Sequence, residues 1–404
     1  LSSHKNWDCS FNSNTCPYTG HVFSLTLPLS LFLCTDSSTL EPFSNYQLAI
    51  YCRRYTVFSL SIVLTYAVDK VSDITRLTVV ETDKGYDIVR YTPKDSKKYR
   101  HDAGYLVGFK PLNYSYSIPI NYVDHVKRMP NLVELILRPS YENGSLDIPD
   151  NLLDRAKNLS HLELTGNVVI NDAGRLIRPA ADNLVVLKLE NANIDSLHEI
   201  RMPALTVLWL SYCTYRGDEA LYLGYCPVLR ELYVGDSELM LLPDVQDCRE
   251  LESLTVEACD LSNDNISSYD WSDLKQMEWL QISFCRIRGT LNESIGQMTK
   301  LQGLKVDNNQ LEGELPKSMA DLKELDLLDV SNNSFTGGLE HLVGLKELRI
   351  LDISYNQFVE IPADLIRDEL THLIVAGNPL ENLPSIRRIV KSRAEVDAEL
   401  SLTL

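Results

Sequence analysis

Residues 301–316, LQGLKVDNNQLEGELP, decide how this chain folds. Their apolar positions, Leu301, Leu304, Val306, Leu311 and Leu315, follow neither a helical period nor simple alternation. They suit one coil of chain, with a short strand over residues 304–306 and a turn at Asn309. A single coil of this length buries too little apolar surface to offset the entropy of ordering its backbone. It is stable only stacked on others.

The rest of the sequence supplies the stack. Aligned on the second leucine of L-x-x-L-x-L, further copies fall at Leu135, Leu162, Leu187, Leu208, Leu232, Leu254, Leu280, Leu328, Leu351 and Leu373, between 21 and 27 residues apart. That spacing is the period of a solenoid repeat. Leu25, Leu48 and Leu77 mark three earlier strands and Leu106 a weaker one, with residues 83–110, rich in charge and tyrosine, forming a loop or irregular repeat. The unit L-x-x-L-x-V-x-x-N-x-L-x-G-x-L-P resembles the plant-type, extracellular leucine-rich repeat family, as in receptor-like ectodomains and polygalacturonase-inhibitor-like proteins. The resemblance is strong over residues 132–384, extends to residues 7–27, and is loose between them. It implies an α/β solenoid, a right-handed leucine-rich repeat superhelix of about fifteen coils with a concave parallel β-sheet. Four segments follow: a cap and first strand over 1–27, irregular repeats with a loop-rich insertion over 28–131, regular repeats over 132–384, and a helix-compatible capping segment over 385–404.

The cysteines divide along the same lines. Trp7, Cys9 and Cys16 resemble the family's cysteine-paired N-terminal cap, and Cys34 and Cys52 nearby leave room for a second pair. Three residues past the last strand apolar, Asn167, Asn309, Asn333, Asn356 and Asn378 occupy the turn, and Cys213, Cys259 and Cys285 replace them in the middle repeats. A buried amide there can satisfy backbone groups that the turn leaves open. Cys226 and Cys248 fall in a core column one repeat apart; packed thiols are the preferred reading, and a bond between them stays open.

Composition is that of an ordinary globular chain, 44% hydrophobic and 23% charged, and the formal net charge of −18 argues against nucleic-acid partners. The apolar stretches 22–33 and 56–68 are too short to span a bilayer and read as sheet, so no transmembrane segment is expected. Sequons at Asn113, Asn143, Asn158, Asn265, Asn292 and Asn332 point to the secretory route, to N-linked glycans and to an extracellular or cell-surface location. The eight histidines show no metal-ligand spacing, and no nucleophile or phosphate-loop motif occurs, so neither a metal nor an enzyme is expected.

The register leaves the residues between the strand apolars on the open sheet face. Trp209, Tyr212 and Tyr233 fall on adjacent coils there, Trp279 and Phe284 lie two coils further on, and Glu190, Asp236 and Glu257 border them. Exposed aromatics bury large area at small entropic cost, so these eight residues are the expected ligand-binding set. The expected function is recognition of a protein, peptide or glycan. The alternative is a glycosylated subunit that adds copies of itself head-to-tail into a coat or fibre.

Overall fold

Each repeat strand places two apolar side chains on one side of the sheet and its intervening residues on the other, the period-two consequence of extended backbone. Leu208 and Leu210 are fully buried while Val207 and Trp209 are half-exposed, and the same alternation recurs in Glu231–Gly235 and Ser253–Glu257. The computed structural model describes residues 74–82, 85–93, 126–139, 145–394 and 401–403, all within one unit, Thr56–Leu404.

Among them, eleven strands from Glu134–Arg138 to His372–Ile374 lie side by side in sequence order, each parallel to the next. The leucines used for the alignment face one another across the sheet, Leu187 opposite Leu208, Leu208 opposite Leu232, Leu304 opposite Leu328, and the whole column is at most 1% exposed. The chain is therefore a leucine-rich repeat solenoid with a long parallel sheet.

The return half of each coil follows from x-G-x-[IL]-P. Arg288–Gly289, Gln310–Glu314 and Ser334–Gly337 form a second, three-stranded sheet. Gly313 in the middle strand has φ +83, a conformation costly for a side chain with Cβ. Leu315 then turns inward at 1% exposure, and Pro316 precedes a 3-10 turn over Lys317–Asp321. Similar turns at Glu293–Gln297, Leu339–Leu342 and Ala363–Leu365 form the side opposite the main sheet.

The turn column holds neighbouring coils together. Asn309 Nδ2 donates to the carbonyls of Val306 and Asp307 in its own coil and to Ile282 one coil earlier, while its Oδ1 accepts from Cys285 and Ile287 backbone N–H groups. Asn333, Asn356 and Asn378 repeat this pattern. In the middle coils thiols supply part of this bonding. Cys213 Sγ donates to Leu189 and Ser211 carbonyls, and Cys285 Sγ to Val256 and Ser283. Ser237 fills the remaining coil, donating to the Gly235 carbonyl and accepting from Cys213 N–H. Burial pushes the thiols of Cys213, Cys226, Cys248 and Cys285 up to about 12 and that of Cys259 to about 11. All five are free and buried, so Cys226 and Cys248 are packed thiols.

Both ends of the sheet differ from simple repetition. Ile74–Thr82 places Leu77 opposite Leu135, so its strand is bonded directly to the Leu135 coil with no strand from around Leu106 between them. Gly85–Pro93 then pairs with it antiparallel, a hairpin in place of the expected loop or repeat. Leu25, Leu48, Leu106 and Cys9, Cys16, Cys34 and Cys52 lie outside the described residues.

At the other end the helix Leu383–Ala394 lays Ile386 and Val390, 1% and 8% exposed, over the last coil. Asn382 anchors its start by exchanging hydrogen bonds with Ile361. The chain then goes beyond the expected helical cap: Ser401–Thr403 adds one more parallel strand, with Leu402 opposite Leu373.

Candidate functional site

The sheet register aligns Lys188, Trp209, Tyr233, Thr255, Gln281, Lys305, Asp329 and Asp352 in one outward column. Trp209 and Tyr233 stack, with ring centroids 5.0 Å apart and planes 18° from parallel. Tyr233 leans over Gly235, where an added Cβ would meet its hydroxyl oxygen at 2.3 Å. The lean brings that hydroxyl within 2.6 Å of Glu257 Oε1, to which it donates. The other Glu257 oxygen accepts from Gln281 Nε2 at 3.2 Å. Burial and this carboxylate raise the Tyr233 phenol well above its ordinary value, so it remains a neutral donor. Four residues on four adjacent strands thus lock one aromatic surface in place.

Trp279 lies one outward column away. Its ring rests on Gly303, where a Cβ would come within 2.2 Å of the indole. Gly303 belongs to the stretch that revealed the repeat, and its missing side chain is what lets this ring lie on the sheet.

Tyr212, Phe284 and Asp236 occupy a different place. They lie just past their strands, in a column where Asn191, Tyr212, Asp236, Ala258, Phe284, Asn308, Asn332 and Tyr355 all have φ between 49 and 57. Gly166 and Gly377 take the same position in their coils, at φ +83 and +71. This left-handed turn aims each backbone N–H at the next coil: Tyr212 donates to Gly235, Asp236 to Glu257 and Phe284 to Asp307. The structure therefore splits the expected eight residues. Trp209, Tyr233, Trp279 and Glu257 stand on the sheet, and Tyr212, Phe284 and Asp236 on its bordering turn.

Glu190 ends the strand Val186–Glu190, in the register position that Glu257 holds in its own strand, but it is buried there. It is 8% exposed, and its Oε2 accepts from the Gly166 N–H at 2.6 Å, which ties it to a neighbouring turn. Tyr355, 59% exposed in the same column as Tyr212, belongs with the candidate residues although the sequence reading left it out. The available signal was its place in the turn column, one residue before the buried Asn356.

The C-terminal half of the face is acidic. Lys305 Nζ stands 3.9 Å from Asp307 and 3.8 Å from Asp329. Burial, reinforced by the charges of Asp307 and Asp352, lifts the Asp329 carboxyl above its usual range despite hydrogen bonds from Ser331. At the opposite end Arg138 Nε meets Glu163 at 2.5 Å.

The sequons are not equivalent. Asn158 and Asn332 are exposed. Asn265 is exposed and caps a 3-10 turn through Oδ1, which accepts from Ser267 N–H. Asn292 is half-buried, and its Nδ2, the atom that would carry a glycan, donates to Ser267 and Tyr269 carbonyls at 3.2 and 2.6 Å. Asn113 and Asn143 lie outside the described residues. Among the described residues no helix is long and apolar enough to cross a membrane, and no cluster of His, Cys, Asp and Glu could hold a metal ion.

Residues 228–375 match a family model described as a leucine-rich repeat region. No curated protein matches the chain. Among solved structures, an internalin, InlF, from Listeria monocytogenes is similar with TM-score 0.55 and 18% identity, covering 83% of this chain and 81% of that one. The PEPR1–AtPEP1 complex is similar with TM-score 0.54 and 24% identity over 63% of this chain. This chain spans only 36% of that one. The leucine-rich repeat protein LIC12759 of Leptospira interrogans follows with TM-score 0.52 and 19% identity, over 69% of this chain and 74% of that one. These likenesses are of fold, and with the matched region they identify residues 228–375 as leucine-rich repeats.

Proposed function

We propose that this chain is a non-enzymatic recognition module that binds a protein, peptide or glycan on the open face of its sheet. The observation that carries the reading is the Trp209–Tyr233 stack, fixed by the hydrogen bonds through Glu257 to Gln281. Rings already held in place lose little freedom when a ligand covers them, so more of the contact energy appears as affinity. The PEPR1 structure, similar in fold, is a complex with AtPEP1, which supports a binding role for a chain of this fold.

The reading includes an extracellular or surface setting, supported by the sequons. Glycans are proposed at Asn158, Asn265 and Asn332, whose side chains are exposed, and not at Asn292, whose amide is already hydrogen-bonded. The test is a glycan array and a displayed peptide library, each probed with the native chain and with a Trp209→Ala/Tyr233→Ala variant. Binders of the native chain should be lost in the variant. Ligands retained in full by the variant would show that the stack is structural.

A further inference from the structure

The left-handed turn column carries three side chains that the scaffold does not need. Gly, Asn and Asp take positive φ at least cost, and they fill the column at Gly166, Asn191, Asp236, Asn308, Asn332 and Gly377. Tyr212, Phe284 and Tyr355 are bulky residues strained into that conformation, and they leave 52%, 61% and 59% of their surface in solvent. Their backbone N–H donates to the next coil, which the Asn and Asp members do equally well. Neither burial nor backbone geometry accounts for the Tyr212 and Phe284 rings, and Tyr355, although its ring lies over Gly377, still leaves most of its surface in solvent.

Their spacing is regular. Three strand-to-strand steps separate Tyr212 from Phe284, and three more separate Phe284 from Tyr355. At ~4.8 Å per step each interval is about 14 Å, which an extended chain rising ~3.4 Å per residue covers in about four residues. Four is even, so the same face of an extended peptide returns to each ring. A helix rising ~1.5 Å per residue would need between nine and ten, roughly two and two-thirds turns, and would present different faces. The surroundings select charge. Asp236 stands in the column between Tyr212 and Phe284, Glu257 lies beside it, and Asp307, Asp329 and Asp352 border the second interval, with Lys305 the cation among them.

We propose that Tyr212, Phe284 and Tyr355 are anchor points for an extended, basic peptide with an apolar side chain at every fourth residue, lying across the coils along the border of the sheet. This rests on the recognition reading but uses residues other than the Trp209–Tyr233 stack. Asn332 stands in the column one coil before Tyr355, so a glycan there would close the second interval and leave Tyr212 to Phe284 open.

The probes are synthetic nonapeptides with phenylalanine at the first, fifth and ninth positions and lysine at the third and seventh, beside series with phenylalanines three or five residues apart. Fluorescence anisotropy on the native chain should show the four-residue spacing tightest by about tenfold. A Tyr212→Gly/Phe284→Gly variant should lose about tenfold in affinity while its thermal midpoint stays about level, since Gly takes this turn at Gly166 and Gly377. Asn332→Gln should add the contribution of the third phenylalanine. Equal affinity for all spacings, no binding by any peptide, or undiminished binding by the Tyr212→Gly/Phe284→Gly variant overturns the proposal. Binding lost only in Trp209→Ala/Tyr233→Ala would overturn it while leaving the recognition reading in place.

Discussion

The coils from Leu304 to Leu373 and those from Leu208 to Leu280 share one backbone and differ in what completes it. In the first group Asn309, Asn333, Asn356 and Asn378 form an unbroken amide ladder that binds each coil to the one before. In the second the turn column is Cys213, Ser237, Cys259 and Cys285, whose shorter side chains reach fewer partners: Cys259 Sγ donates to its own coil's Glu257 carbonyl. The same coils that give up the amides carry Trp209, Tyr212, Tyr233, Trp279 and Phe284. Repetition builds the scaffold, and most of the aromatics of the proposed recognition surface fall where the repeat departs from its own pattern.

That contrast can be broken at the turn column. Asn356 is 5% exposed, and Asn356→Ala would strand the Phe335 N–H and take one of two amide donors from each of the Val330 and Ile353 carbonyls, which Asn333 and Asn378 still reach, a loss of about 2–3 kcal/mol from several buried bonds. Cys259→Ala removes one weak donor and should cost about 1 kcal/mol. Urea titrations of the two variants test the difference, and equal losses would dissolve the distinction between the groups. On the face itself, Gly303→Ala drives a methyl into the Trp279 ring and should cost about 1–2 kcal/mol. It should also shift tryptophan emission as the indole lifts into water; an unchanged spectrum would place Trp279 elsewhere.

The cysteine-rich group should also show itself in alkali. Its thiols sit at about 11 to 12 in the folded chain against an ordinary 9.0. The folded state thus retains protons that the unfolded state releases. The stability these groups contribute is whole below pH ~9 and falls as pH rises toward 12. Buried neutral thiols are poor nucleophiles, so iodoacetamide at pH 8 should leave all five unmodified until denaturant is added. Labelling of the native chain, read by mass spectrometry, would contradict the packing described.

What could be read beforehand follows from what repeats. The leucine column was legible because burial at a fixed period leaves the same residue type every turn, and Leu187, Leu208 and Leu232 do meet in register. The cysteines at 213, 259 and 285 were legible as turn residues because they replace asparagine in an aligned column. The left-handed backbone was hidden in plain residue types: Gly166, Asn191, Asp236 and Asn332 share one tolerance, positive φ, but read as outward polar residues. Glu190 could not be placed because its partner is a backbone N–H of Gly166 one coil earlier, to which no side-chain pattern points. The hairpin at Gly85–Pro93 and the returning strand at Ser401–Thr403 happen once each, and a periodic argument has no purchase on a single event.

The smallest expected effect bears most directly on why the aromatics stand where they do. Ala258 occupies the left-handed column at φ 53, exposed, with no ring to offer a ligand. Ala258→Gly removes the Cβ clash of that conformation but adds freedom to the unfolded chain, so it should stabilise by about 0.5–1 kcal/mol. Tyr355→Asn should gain a similar ~1 kcal/mol by the same route, less whatever the tyrosine ring contributes by lying over Gly377. Thermal melts of the two variants in parallel separate the terms. A gain in both means that the column holds Tyr355 at a cost to stability, as a residue kept for an external contact would be. A gain for Ala258→Gly with a loss for Tyr355→Asn would instead make the ring a packing element of the last coils, and would confine the recognition surface to the middle of the sheet.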